Sequence, residues 1–393
     1  MKIIAINAGS SSLKFSLFDM TNMSVIASGL FERIGIDGSC YTIKYHNEAI
    51  KEKIELNTHT DAVKILLEKL ISLEIISSLN EISGVGHRIV QGKDLYSESV
   101  LITDEVINNI DKIKEFAPLH NPAHLLGIRA FKEVLPNVPM VAVFDTAFHQ
   151  TMDEEEYLYA VPYEWYQKYG VRKYGFHGTS HRYITETISK HLGRNDLRII
   201  SCHIGNGGSI TAIKDGKCVD TSMGFTPLAG IMMGTRSGDV DCSFIPYVME
   251  QEGLNASEVV DILNKQSGLL GLSETSSDMR DIIKAMDEGN EKCKLAFKKY
   301  VRMITNYIAQ YYVLLGGVDV ICFTAGVGEN SCPTRKAVCE NLACLGIKID
   351  DEANQVMGEF KKISSEDSSC LVYVVPTNEE LMIALDTQKL INN

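Results

Sequence analysis

The first residues with an evident chemical use occupy positions 6–15, "INAGSSSLKF", directly behind the apolar run "KIIAI". Small residues let backbone N–H groups approach an anion, Ser10, Ser11 and Ser12 add hydroxyl donors, and Lys14 brings a point charge. The spacing is not that of a G-x-x-x-x-G-K-[ST] loop, so the stretch reads either as a phosphate cradle or as a plain hairpin turn. Two more glycine turns follow apolar runs, "HIGNGGS" (203–209) and "FTAGVGEN" (323–330). Three such turns, each behind a strand, point to a nucleotide. Cationic groups stand in the remaining polar islands. "GVGHRIVQG" (84–92) sets Arg88 between glycines, and "MGTRSGDVD" (233–241) puts Arg236 in a turn with Asp239 and Asp241. "SSDMRD" (276–281) places Asp278 and Arg280 at a helix start. Guanidinium forks suit carboxylate and phosphate oxygens, while the aspartates serve equally well as caps and turn formers. His177 lies between glycines in "GFHGTSH" (175–181). The pairs His177/His181 and His120/His124 are four apart but lack the glutamate of H-E-x-x-H, so His181, His120 and His124 read as structural.

These groups need a scaffold, and the chain alternates strand-like and helix-like segments, as α/β layers do. Val63, Leu66, Leu67 and Leu70 predict a helix over 60–71, and Ile184, Ile188 and Leu192 predict another closed by Gly193. Phe297, Val301, Ile304, Ile308, Tyr311 and Leu315 predict a long helix over 290–315, stopped by Gly316-Gly317. There is also an internal echo. "KIIAINAGSSSLKFSLFD" (2–19) and "RIISCHIGNGGSITAIKD" (198–215) share a basic residue, a strand, a glycine turn, a second strand and an aspartate. "PMVAVFDTA" (139–147) and "DVICFTAGV" (319–327) echo each other more faintly. Duplicated domains facing one cleft would produce this pattern, as would two unrelated hairpins. The acidic run "DEEEY" (153–157) is the best boundary candidate.

Composition narrows the field. The 393 residues suffice for two or three domains, and 45 % hydrophobic with 23 % charged residues is an ordinary globular balance. A net charge of −13 argues against nucleic acid or an anionic membrane as partner, though not against small anions met by a local cationic cluster. No run approaches a membrane span and no signal peptide is read at the N-terminus. The ten cysteines follow no framework or zinc spacing and read as reduced, mostly buried thiols of a cytoplasmic protein.

Over essentially its whole length the sequence resembles the acetate kinase family. The motifs "NAGSSSLKF", "GHRIVQG", "FDTAFH", "YGFHGTSH", "HIGNGGS", "TPLAGIMMGTRSGD", "SSDMRD", "TAGVGEN" and "TNEEL" stand in the family's order. The resemblance implies an α/β fold of two duplicated RNase H-like domains of the actin–hexokinase superfamily, with an interdomain active-site cleft. It places the domains at 1–147 and 148–380, with 381–393 returning to the first. It implies ATP:acetate phosphotransfer in a homodimer with Mg²⁺, or Mn²⁺ in its place. Asn7 and Glu379 are implied at the metal. Lys14, Ser10 and Ser12 are implied at the nucleotide, with His203, Ile204, Gly205, Asn206, Gly207, Asp278, Met279, Arg280, Gly326, Val327, Gly328, Glu329 and Asn330. Arg88 is implied on the acyl substrate, Asp145, His177 and Arg236 in catalysis, and Val90, Leu119, Phe176 and Pro227 in a pocket for the acetate methyl. Departures occur at "IVQGKD", where "VVHGGE" is common, at Cys242 for proline, at Glu274 for glycine and at Leu385 for arginine. The competing expectations are a propionate or butyrate kinase and a non-catalytic actin-like nucleotide-binding module. Val90 and the form "GFHGTSH" favour acetate.

Overall fold

Alternation through "KIIAINAG" makes β1 (Lys2–Gly9) the axis of the first sheet in a computed structural model that describes residues 1–118 and 120–392. Ile4 and Ile6 face one side and Ile3 and Ala5 the other, so both faces must be covered by helices. β2 (Ser12–Asp19), β3 (Ser24–Glu32), β4 (Cys40–Tyr45) and β5 (Glu48–Lys53) continue antiparallel to a charged edge. Next come α1 (His59–Ser72), β6 (Ile82–Ile89), β7 (Val100–Leu101), α2 (Asp104–Lys112), α3 (Asn121–Val134) and β8 (Met140–Phe144). α1 starts where Thr58 and Asp61 cap each other reciprocally, and its Val63, Leu66, Leu67 and Leu70 pack with Phe131 of α3 against Ile4 and Ile6. The eight strands run β5-β4-β3-β2-β1-β6-β8-β7, with β1, β6 and β8 parallel.

The chain divides into two compact units, Met1–Phe148 with Asn378 onward, and His149–Thr377. The second opens with α4 (Glu154–Tyr157), α5 (Tyr163–Tyr169) and α6 (Gly178–Leu192), then β9 (Arg198–Ile204), β10 (Gly208–Lys214) and β11 (Lys217–Thr221). Five helices follow: α7 (Phe244–Glu252), α8 (Ala256–Lys265), α9 (Gly268–Ser273), α10 (Met279–Asp287) and α11 (Glu291–Leu314). β12 (Val320–Thr324), α12 (Ala325–Asn330), α13 (Cys332–Asn341), β13 (Lys361–Lys362) and β14 (Leu371–Val374) complete it, in sheet order β11-β10-β9-β12-β14-β13. The apolar stripe of α11 covers Ile200, Cys202 and Ile210. Gly316 and Gly317, both at positive φ, end it as the sequence predicts.

Sheet position aligns β9 with β1, β10 with β2, β12 with β6 and β14 with β8. Residues 2–19 and 198–215 are thus equivalent hairpins. The fainter echo is out of register, because β8 holds the place of β14 and not of β12. Fully buried parallel strands are apolar throughout and carry no alternation to align. A second correction concerns "TAGVGEN", which is the short helix α12 rather than a turn.

Beyond Thr377 the chain rejoins the first unit as α14 (Glu379–Ile391), capped by Asn378, whose Oδ1 accepts from the Leu381 N–H at 3.0 Å. Ile383 and Ala384 cover Ile3 and Ala5. The boundary therefore lies at 148/149 and the return at 378, which puts Glu379 in the same unit as Asn7.

Candidate active site

The glycines beside Arg88 have a packing cause. A Cβ at Gly84 would lie 3.0 Å from Thr387 Cγ2 and 3.1 Å from Ile391 Cδ1, and one at Gly86 would lie 2.5 Å from Ile383 Cγ2. They form a groove for α14. Each two-residue step along β6 moves one turn toward the N-terminus of α14, so the next step brings Arg88 level with Glu379. Register sets Ile6 of β1 opposite His87, one residue before Arg88, so Asn7 reaches the same level.

Asp145 follows the last residue of β8, and its N–H donates to the Ile89 carbonyl at 2.9 Å. Its carboxylate accepts from Arg88 Nε at 3.0 Å and from Arg88 Nη2 at 2.6 Å, a bidentate pair with Asp145 1 % exposed. Burial works against the Arg88 charge, but Asp145 with Glu379 and Glu380 more than offsets it, and the guanidinium pKa is raised. Burial also pushes the Glu379 carboxyl up to about 7, opposed by Arg88 and reinforced by Asp145 and Glu380. Lys14, opposite Asn7 across the hairpin, pairs with Glu380. Ser10 is exposed at the hairpin tip and Ser12 half-buried. Val90 is buried just beyond β6, while Leu119 lies outside the described residues.

In the second unit His177 caps α6 in the left-handed region, φ 57°, an unusual conformation for a side chain of its size. Its Nδ1 lies 2.9 Å from Ser209 Oγ, and its ring stacks on His203 at 4.1 Å. A Cβ built on Gly207 would make ordinary contact with Arg236 Nη1 at 3.5 Å and His177 Nε2 at 3.7 Å, so the glycine leaves the space beside both groups open. Arg236 is half-buried and donates to the Pro227 carbonyl at 3.3 Å; burial lowers its pKa. Among the described residues it has no carboxylate within ion-pair distance. A desolvated cation held only by neutral groups favours an incoming anion. Phe176 is buried, its carbonyl 2.8 Å from His149 Nε2.

A cavity of about 850 Å³ opens in the same unit, lined by Gly205, Asn206, Asp278, Met279, Arg280, Gly326, Val327 and Asn330, with Ile283 and Met357. Asp278 caps α10, and its hydrogen bonds from Arg280 hold its carboxyl down to about 2. His203, Ile204, Gly207, Gly328 and Glu329 do not line the cavity. Glu329 turns inward: its carboxylate accepts from the N–H groups of Ala325 at 2.8 Å and Thr377 at 3.0 Å. Behind the cavity lies Arg335, wholly buried and, among the described residues, without a carboxylate within ion-pair distance. It donates to the carbonyls of Gly328, Glu329, Asn354 and Val356 and to Asn354 Oδ1, tying α12 to the strand of chain that carries Met357. Nothing in "SCPTRKAV" marks that arginine, which stands like any polar residue on an amphipathic helix. Ser209 was equally hidden as one more small residue in a glycine turn.

Arg88, Asp145, Asn7, Lys14 and Glu379 thus belong to the first unit, and His177, Arg236 and the cavity of about 850 Å³ to the second. The acetokinase family profile matches residues 2–385. The acetate kinase of Bacillus subtilis is 56 % identical over 391 residues, covering 99 % of both chains, and that of Geobacillus kaustophilus is 55 % identical over 393. Among solved structures, Porphyromonas gingivalis acetate kinase superposes with a TM-score of 0.96 at 46 % identity, covering 99 % of each chain. A Francisella tularensis propionate kinase gives 0.94 at 40 % with the same coverage. With both duplicated sheets and full-length identity in agreement, the chain belongs to the acetokinase family.

Proposed function

We propose that this chain transfers the γ-phosphoryl group of ATP to a carboxylate oxygen of acetate, in line and reversibly, giving acetyl phosphate and ADP. The observation that carries the proposal is Arg236, a half-buried cation with no carboxylate partner among the described residues, set with His177 around the space at Gly207. Charge in the transition state spreads over the equatorial oxygens, so the protein's task is positioning and stabilisation. Arg88 receives the acetate carboxylate, Arg236 and His177 meet the transferring group, and the cavity around Gly326 and Asp278 takes the nucleoside. Asp145 orients Arg88 and has no proton to remove, because a carboxyl of pKa roughly 4 is already ionised at neutral pH.

Asn7 and Glu379 would hold Mg²⁺. An amide oxygen and one carboxylate suit an ion that keeps most of its waters, and the raised pKa of Glu379 marks a carboxylate whose charge is poorly compensated. Among the described residues no group of three His, Cys, Asp or Glu is placed to hold a metal, so a dense cage has no part in the proposal. When bound, the ion would neutralise charge on the phosphate oxygens. The working form is proposed to be a cytoplasmic homodimer, which light scattering checks. Among the described residues no helix is long and apolar enough to cross a membrane.

The propionate kinase neighbour sustains a second reading, transfer to a longer acid. Hydroxamate trapping with ATP, Mg²⁺ and acetate, propionate or butyrate tests both. Acetate is expected to give the highest kcat/KM. A preference for propionate would move the substrate, and no hydroxamate from any acid would leave a nucleotide-binding module.

A further inference from the structure

Behind His177 runs a chain of buried polar atoms that the transfer chemistry above does not use. Ser209 Oγ lies 2.9 Å from His177 Nδ1 and 2.7 Å from His181 Nε2, and His181 Nδ1 lies 2.9 Å from Ser201 Oγ. Ser209, His181 and Ser201 are fully buried. Their placement follows from the elements: His181 stands one turn after His177 on α6, while Ser201 and Ser209 lie on β9 and β10, with Ser209 opposite His203.

A serine hydroxyl has one proton. Between two imidazole nitrogens it donates to one and accepts from the other, so the protonation of the two rings is set in step. His181 is neutral, because complete burial holds its pKa well below the ordinary range. Two directions of the chain remain. In one, Ser201 donates to His181 Nδ1, His181 Nε2–H donates to Ser209, and Ser209 donates to His177 Nδ1, which leaves the His177 proton on Nε2. In the reverse direction the proton of a neutral His177 sits on Nδ1, and Nε2 can only accept. That nitrogen borders the same open space as Arg236 Nη1. An anion held there by Arg236 is met by an N–H in the first arrangement and repelled in the second. The face-to-face stack with His203, 4.1 Å between centroids and 22° between planes, disfavours a charge on both rings at once.

We propose that Ser209, His181 and Ser201 are positioning residues that hold His177 as the Nε2–H tautomer, so that it offers the transferring phosphoryl group a neutral donor already in place. The choice of direction rests on the anion that the proposed function brings to Arg236, while the coupling of the two rings through Ser209 rests on the geometry alone.

The test has two arms on the full-length protein. ¹⁵N spectra of histidine-labelled protein, with His177 assigned from His177→Ala, are expected to show the Nε2–H form, and Ser209→Ala is expected to convert it to a mixture. In kinetics, Ser209→Ala and His181→Leu should lower kcat about 10- to 100-fold with ATP and acetate KM changed less than about threefold. His181→Gln, whose amide can still donate to Ser209, should recover much of the loss. In the His177→Ala background the Ser209→Ala effect should shrink below about twofold. An Nδ1–H tautomer in the unmutated protein, or an undiminished Ser209→Ala effect without His177, overturns the proposal. Wild-type turnover by His177→Ala would instead remove the catalytic role of His177, and the tautomer arm would still decide the chain.

Discussion

Asp145→Asn isolates the charge of one carboxylate while keeping its shape. The pair it disturbs is bidentate, 3.0 Å and 2.6 Å, with the Asp145 side chain 1 % and the Arg88 side chain 21 % exposed. Breaking a buried pair of this kind typically costs about 3–5 kcal/mol. Asparagine keeps one acceptor for Arg88 Nε but turns an amide N–H toward Nη2, donor against donor. Part of the interaction survives, and the expected loss is about 2–3 kcal/mol, or roughly 30- to 160-fold in kcat/KM for acetate. The assay is hydroxamate formation at saturating ATP with acetate varied, beside Arg88→Ala and the double variant. If Asp145 acts by orienting Arg88, adding Asp145→Asn to Arg88→Ala should cost less than about twofold more. Any activity limb near neutral pH should persist in Asp145→Asn. Multiplicative losses in the double variant would refute the orienting role, and disappearance of a basic limb would install Asp145 as a proton acceptor.

Arg335→Lys offers three donors where five bonds are made, and each orphaned buried acceptor costs about 1–3 kcal/mol; ATP KM should rise about tenfold or more while acetate KM holds, and equal changes in both would deny the link to the nucleotide cavity. Lys93 and Glu274 stand at φ 57° and 54°, where a side chain costs roughly 1–2 kcal/mol and glycine's extra chain entropy returns about 0.5–1, so Lys93→Gly and Glu274→Gly should each raise the unfolding free energy by up to about 1 kcal/mol in denaturant titrations. Burial lowers the pKa values of His87 and His124 to about 3, so their contribution is whole above pH 6.5 and is lost as pH falls toward 3, up to roughly 4 kcal/mol each; the pH slope of stability in that window should flatten in His87→Leu. Val90→Ala should improve propionate relative to acetate about tenfold in kcat/KM, since a methylene in such a pocket is worth roughly 1–3 kcal/mol, and an unchanged ratio would remove Val90 from it.

What could be read without coordinates was whatever is local. Periodicity foretold α1 and α11 to within a residue or two and the C-terminal end of α6, because each depends on its own stripe and caps. The glycine turns announced the hairpins at Gly9 and Gly205. Long-range causes were illegible. The glycines of "GVG" had no visible cause in the sequence, because α14, nearly 300 residues later, is what requires them. His181 looked inert because its partners, Ser201 and Ser209, come from two strands 20 and 28 residues on. The departures at Lys93 and Glu274 became intelligible only once both showed left-handed backbone, the conformation that glycine commonly supplies.

The return of the chain at Asn378 has a temporal meaning. During synthesis the first 148 residues emerge with Gly84 and Gly86 facing an empty groove and one face of β1 uncovered, since α14 is made only after the whole second unit. The first unit therefore waits for some 230 residues before it can close. The same late segment carries Glu379 to Arg88 and Asn7, so a ribosome that stalls anywhere in the second unit releases a chain without that carboxylate. A chain cut short anywhere in the second unit carries Arg88, Asp145 and Asn7 without the carboxylate that stands level with them, and its first sheet keeps one face of β1 bare.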